Sequence, residues 1–143
     1  MIPGFFDPER SRPAPMVRVD VLMSPATNSW LTVDFLLDTG AGRTCLHPRD
    51  SLRSGLSEAT LAEPGNWPHH QRMSGVGGST LYYVTRTVYS FATDSGESEV
   101  IEGQILIAQP RPDNAGLPSL LGWDMLYRFE VLVDWRSRRV ELR

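Results

Sequence analysis

The chain has 143 residues, a length that suits one domain, and its 14 Lys and Arg against 17 Asp and Glu leave a formal net charge of −3. That balance argues against nucleic acid as a partner, because phosphate binding needs clustered positive charge. With 41% hydrophobic and 22% charged residues the composition is that of a folded globular domain, and a single cysteine excludes a disulfide framework or a multi-cysteine zinc site.

The N-terminal stretch 1–15 holds four prolines and little periodicity, so it reads as an extended arm ahead of a single domain over 16–143. It has acids but no apolar core of an export signal, and no apolar run in the chain approaches ~18 residues. The expected location is therefore cytoplasmic, with no membrane partner. From Met16 to Met23, Val17, Val19, Val21 and Met23 alternate with Arg18, Asp20 and Leu22, the pattern of a half-buried strand. A turn over 24–29 leads to a second strand, Trp30–Leu37, with Leu31, Val33, Phe35 and Leu37 on one face, and the two predict a β-hairpin. The turn 38–42 and a short strand near Thr44–His47 follow, and Pro48 ends that strand. Asp50–Leu61 has room for a short helix, and Ala62–Gln71 reads as a loop.

A glycine-rich turn over 74–79 precedes a long Tyr-, Val- and Thr-rich strand, Leu81–Ala92, and another strand at Val100–Ala108. After a Pro/Asn/Gly loop, Leu120–Leu121 leads into a short helical pattern over Trp123–Phe129, and Val131–Trp135 with Arg139–Leu142 predicts a closing hairpin. Roughly eight strands and little helix make the class all-β. Cys45 is expected to be a buried small hydrophobe, and Tyr82, Tyr83 and Tyr89 to pack on the sheet. The adjacent His69 and His70 lack companion ligands, so they are placed in an exposed loop and no metal is expected.

The informative stretch is Val33-Asp34-Phe35-Leu36-Leu37-Asp38-Thr39-Gly40-Ala41. A core strand delivers an acid at its end, inside a tight turn, and a carboxylate there is costly without a partner. Taken alone, such an Asp also serves simply to accept hydrogen bonds from its own turn. Further on come the turn Gly75-Val76-Gly77-Gly78 and the run Leu120-Leu121-Gly122, with Trp123-Asp124-Met125-Leu126 behind it. In this order and spacing the segments resemble the retropepsin family of aspartic proteases, the single-domain retroviral type, and most of all its cellular and bacterial retropepsin-like domains. The resemblance covers roughly residues 17–142, nearly the whole chain.

The resemblance implies a closed acid-protease β-barrel with one short C-terminal helix, one lobe per chain. It makes Asp38 the catalytic acid, supported by Thr39, Gly40 and Ala41, with Leu121 and Gly122 as structural motif. Gly75, Val76, Gly77 and Gly78 become a flap, about 73–83, that closes over an extended peptide, and Gly42, Pro118 and Leu120 become candidate pocket walls. No cofactor is implied. Two close carboxylates share one proton because they cannot both ionise. One then takes a proton from a water while the other polarises the scissile carbonyl. Pepsin-like enzymes carry two such motifs in two lobes, whereas this chain has one, so Asp38 is expected to meet Asp38 of a second copy in a C2 homodimer. The implied activity is an aspartic endopeptidase acting on peptide or protein. The alternatives are an inactive member serving as a peptide-binding or dimerisation module, and an unrelated β-barrel with a chance motif.

The sequence departs from the retroviral pattern in three places. Gly42 and Arg43 stand where many members have an acid that binds peptide backbone, which points Arg43 toward acidic peptides. The stretch 55–71 is long for the family. In retroviral members the chain ends form an intersubunit sheet, but here 1–15 is proline-rich and 136–143 basic, so the interface is expected to be built differently. Ala41 also lacks a hydroxyl that would bond the carboxylate and favour its charged form. Activity is therefore expected to peak at mildly acidic pH, and a pH–rate profile with its maximum near about pH 2 would contradict this.

Overall fold

The computed structural model describes residues 1–8, 13–24, 26–75 and 78–143. The alternation in the first hairpin is realised almost residue for residue. Strand β3 (Pro15–Ser24) buries Val17, Val19, Val21 and Met23, and β4 (Leu31–Leu37) buries Leu31, Val33, Phe35 and Leu37. They pair antiparallel with Met16 opposite Leu36 and Val19 opposite Val33. The same register puts Arg18 opposite Asp34 on the outer face, where they form an ion pair at 2.7 Å. Cross-strand pairs of this kind help fix which face turns inward.

Four further strands complete the wall: β5 (Cys45–Leu46), β7 (Gly78–Ala92), β8 (Ser98–Ala108) and β9 (Leu120–Leu121). The order β3-β4-β9-β5-β8-β7 returns to β3 through the pairing of Asp20–Ser24 with Arg86–Ser90, so the sheet closes on itself. This is the closed all-β barrel with a short C-terminal helix, α3 (Trp123–Leu126), that the sequence led us to expect. Closure leaves the ring without an open edge. Two central pairings are parallel: β4 runs alongside β9 with Leu36 opposite Leu120 and Leu37 opposite Leu121, and β5 runs alongside β8. The closing hairpin, β10 (Val131–Asp134) with β11 (Arg139–Leu142), forms a second, smaller sheet.

Strand β6 (His70–Gly75) pairs with β7 from His70 opposite Tyr83 to Gly75 opposite Gly78, while β8 takes up β7 only from Tyr82 onward. The pair therefore forms a two-stranded ribbon beyond the barrel wall. Within the flap predicted from sequence, Gly75 and Gly78 face each other across this ribbon, and Val76 and Gly77 lie outside the described residues.

The N-terminal arm is extended, but its first residues belong to the core. Strand β1 (Ile2–Pro3) pairs with β11, β2 (Phe5–Phe6) pairs with β3, and Ile2 is only 2% exposed. Gly4 lies so close to Val140 and the Met16 carbonyl that a Cβ would meet them at 2.6 and 2.5 Å. The reading of 62–71 as a loop also needs correction. Beyond the helical turns α1 (Pro48–Ser51) and α2 (Glu58–Ala62), a 3-10 turn spans Pro64–Asn66, and Trp67 is buried in a stack on Tyr83 at 4.7 Å. The Trp67 indole N–H donates to the Thr60 carbonyl and the Tyr83 hydroxyl donates to that of Leu61, so these large side chains leave no polar atom unpaired. His69 and His70 are exposed, but only His69 lies in a loop, because His70 opens strand β6 opposite Tyr83.

A buried polar network ties α1 to the chain just before β9. His47 donates its backbone N–H to Ser119 Oγ, Ser119 donates to Asp50 at 2.6 Å, and Arg53 pairs with Asp50 at 2.8 Å. The His47 ring bonds the Pro118 carbonyl. Burial holds the His47 imidazole below its ordinary value of 6.5, against the opposing pull of that carbonyl and of Asp50. Folding therefore favours the neutral ring, and as pH falls the unfolded chain takes up the proton first. The stabilisation is complete above the unfolded value and is lost as pH drops below it. Denaturant midpoints at about pH 7.5 and about pH 5.5 should fall further for the wild type than for His47→Gln. An equal fall in both would remove His47 as the source.

Candidate active site

Five of the expected site residues, Asp38 to Gly42, lie in one turn at the end of β4. The Asp38 backbone N–H donates to the Leu121 carbonyl at 3.1 Å, which extends the parallel β4–β9 pairing by one bond. The turn closes with Ala41 N–H donating to the Asp38 carbonyl at 3.2 Å. The Asp38 side chain is half-buried, and its Oδ1 accepts the Gly40 N–H at 2.9 Å. That bond is the ordinary role of an aspartate in its own turn, and it leaves Oδ2 with no donor among the described residues. Thr39 and Gly40 are exposed, and the Thr39 hydroxyl likewise has no partner among the described residues.

The chain beyond the turn is held by the segment that follows β9. Trp123 N–H donates to the Ala41 carbonyl at 2.9 Å. Thr44, fully buried, donates its backbone N–H and its hydroxyl to Asp124 Oδ1 at 2.9 and 2.7 Å, and its Oγ1 accepts the Gly122 N–H at 3.1 Å. Arg43 completes the arrangement, with its guanidinium 3.9 Å from Asp124 Oδ2 and donating to Gln104 at 3.1 Å. Gly122 has extended backbone, so its need is for room rather than for an unusual dihedral. A Cβ there would lie 2.7 Å from the Arg43 carbonyl carbon and 2.8 Å from the Ala41 oxygen.

Thr44 and Asp124 were not singled out from sequence as site residues. The available signal was slight: a Thr just after the turn, and an Asp in the first turn of a short helix. Cys45, next in line, is 4% exposed, and its thiol is pushed up to about 12 by burial first, with the charges of Asp38 and Asp124 adding to it. It is an inert packing group, as expected.

The candidate pocket residues are placed unequally. Gly42 is exposed, Leu120 is half-buried between β4 and β5, and Pro118 is buried with its carbonyl held by His47. Two open clefts lie elsewhere: one of about 760 Å³ is lined by residues such as Arg86 and Glu102, and one of about 580 Å³ by Arg18, Arg49 and Arg53 among others. Asp38 lines neither.

No protein-family model matches this chain, and no curated protein matches it. Among solved structures it is similar to an EIAV protease complexed with the inhibitor HBY-793, at 20% identity over 85% of this chain and 90% of that one, with a TM-score of 0.46.

The two glycines flanking the site make opposite predictions. Gly122→Ala drives a methyl group into backbone atoms that cannot swing aside, so it should cost at least about 1–3 kcal/mol in denaturant unfolding. Gly42→Ala meets nothing within 4 Å and should leave the midpoint nearly unchanged. Equal effects from the two would contradict this packing.

Proposed function

We propose that the protein is an aspartic endopeptidase whose active form pairs two Asp38 side chains across a two-fold axis. The observation that carries the reading is the Asp38 turn itself. A core strand ends in a half-buried carboxylate with one oxygen tied to its own turn and the other without a donor among the described residues. One such carboxylate cannot be acid and base at once, and the two roles need two groups with different protonation.

In the pair, one proton is shared because two adjacent carboxylates cannot both ionise. The ionised group takes a proton from water as the water oxygen attacks the scissile carbonyl, which the protonated group polarises; the tetrahedral intermediate then breaks its C–N bond as that proton passes to the leaving amine, with no acyl-enzyme. The exposed Thr39 hydroxyl reaches across to the partner's turn. The β6–β7 ribbon closes over an extended peptide, with the backbone at Gly75 and Gly78 open to strand-like bonds with it. Gly42 and Leu120 stand at the pocket wall, with Pro118 behind them.

The test is cleavage of a peptide library by wild type and Asp38→Asn, with and without a statine-type inhibitor. The substitution keeps the shape and removes the shared proton. Cleavage should fall by on the order of a thousandfold, and the inhibitor should block what the wild type does. Cleavage that survives the substitution overturns the mechanism. Peptide binding without cleavage by the wild type would identify a binding module instead.

A further inference from the structure

We infer that Arg111 is a releasable latch on the β6–β7 ribbon and positions that ribbon for a bound peptide. The inference rests on the proposed endopeptidase and names what holds the ribbon of that site in place.

The pairing of β7 with β8 ends at Tyr82 opposite Ala108. The chain keeps this register for one more residue, where Gln109 N–H donates to the Leu81 carbonyl at 2.9 Å. In an antiparallel ladder, pairs that exchange backbone bonds alternate with pairs that do not. The next bonded pair would therefore be Ser79 with Arg111. It does not form through the backbone. Pro110 has no N–H and a fixed φ, and the Arg111 N–H is turned away to Asn114 Oδ1 at 2.9 Å. The Ser79 carbonyl is bonded all the same, because the Arg111 guanidinium donates to it at 2.6 Å. A side chain has taken over the bond that the backbone of the same residue would have made.

The loop behind the guanidinium is well held. Asn114 is 5% exposed and donates to the Gln109 carbonyl at 3.0 Å, and the Gln109 side chain donates to the Ala62 carbonyl at 3.2 Å. The outer ribbon, 72–75 with 78–80, has no such support. Among the described residues, the bond from Arg111 to Ser79 is its one hydrogen bond to the rest of the chain. A guanidinium on a flexible stem can let go while its loop stays in place. The Arg111 side chain is 38% exposed, and its Nε lies 3.3 Å from the Asp113 carboxylate, so a released guanidinium keeps an ion partner. The ribbon can thus lift to admit a peptide and be caught again by a charge-assisted bond.

Amide hydrogen exchange on the full chain, read by mass spectrometry, compares wild type, Arg111→Met, Arg111→Lys and Arg86→Met. Methionine keeps the apolar stem without the donors, and lysine keeps a charged donor. The control removes an exposed arginine from the part of β7 paired with β8. Ribbon exchange should rise at least about threefold in Arg111→Met, while β3 and β4 stay at wild-type rates and show that the barrel is intact. Arg111→Lys should recover part of the protection, and Arg86→Met should match the wild type. Peptide KM should rise by about the same factor in Arg111→Met with kcat changed less, because a held ribbon binds substrate and transition state alike. Unchanged ribbon exchange in Arg111→Met overturns the latch whatever the activity does. Raised exchange with an unchanged KM overturns the positioning role. Raised exchange in a protein whose wild type cleaves no peptide keeps the latch and overturns the endopeptidase.

Discussion

Two segments far apart in sequence meet here with no space for a single methyl group between them. Gly122 lies against the backbone of Ala41 and Arg43, and its N–H reaches Thr44, 78 residues away in sequence. Around this contact the chain spends several of its buried polar bonds: Asp38 to Leu121, Trp123 to Ala41, and Thr44 to Asp124 twice. Each is satisfied on both sides, the condition under which a buried polar cluster fixes geometry rather than costing stability. The parallel pairing of β4 with β9, inside the closed ring of strands, brings the segments into register. The position of Asp38 is therefore a property of the whole barrel, not of its own turn.

That placement leaves the chemistry half built. Everything behind Asp38 is packed and bonded, and everything in front of it is open: Thr39, Gly40 and Gly42 are exposed. In the proposed dyad, this open side is where the second copy's carboxylate sits. Arg43 is turned back toward Asp124 and Gln104. In the proposed enzyme, an acidic side chain of the peptide would have to compete with those partners for Arg43.

Much of the barrel was legible because the first two long strands alternate and its turns carry Gly, Pro, Asn or Asp. Val17 to Met23 and Leu31 to Leu37 declare both strand and inner face, and the Asp38 turn and Gly122 stand out by residue type. Proline content hid the core role of the N-terminus: Ile2 and Gly4 pack tightly, but two residues of strand have no period to read. In 55–71 the structure comes from tertiary contact, with Trp67 held by Tyr83 and Thr60, and local propensity is silent on such contacts. The Thr44–Asp124 clamp was illegible for the same reason, since nothing in either neighbourhood names the other.

The account stands on one chain being half of a catalytic site, and the most direct measurement of that is specific activity against total chain concentration. Initial rates of peptide hydrolysis divided by protein concentration should rise with dilution reversed, fall toward zero as the chain is diluted below its dimer dissociation constant, and level off above it. A specific activity that stays constant down to concentrations where sedimentation finds only monomer would contradict the account.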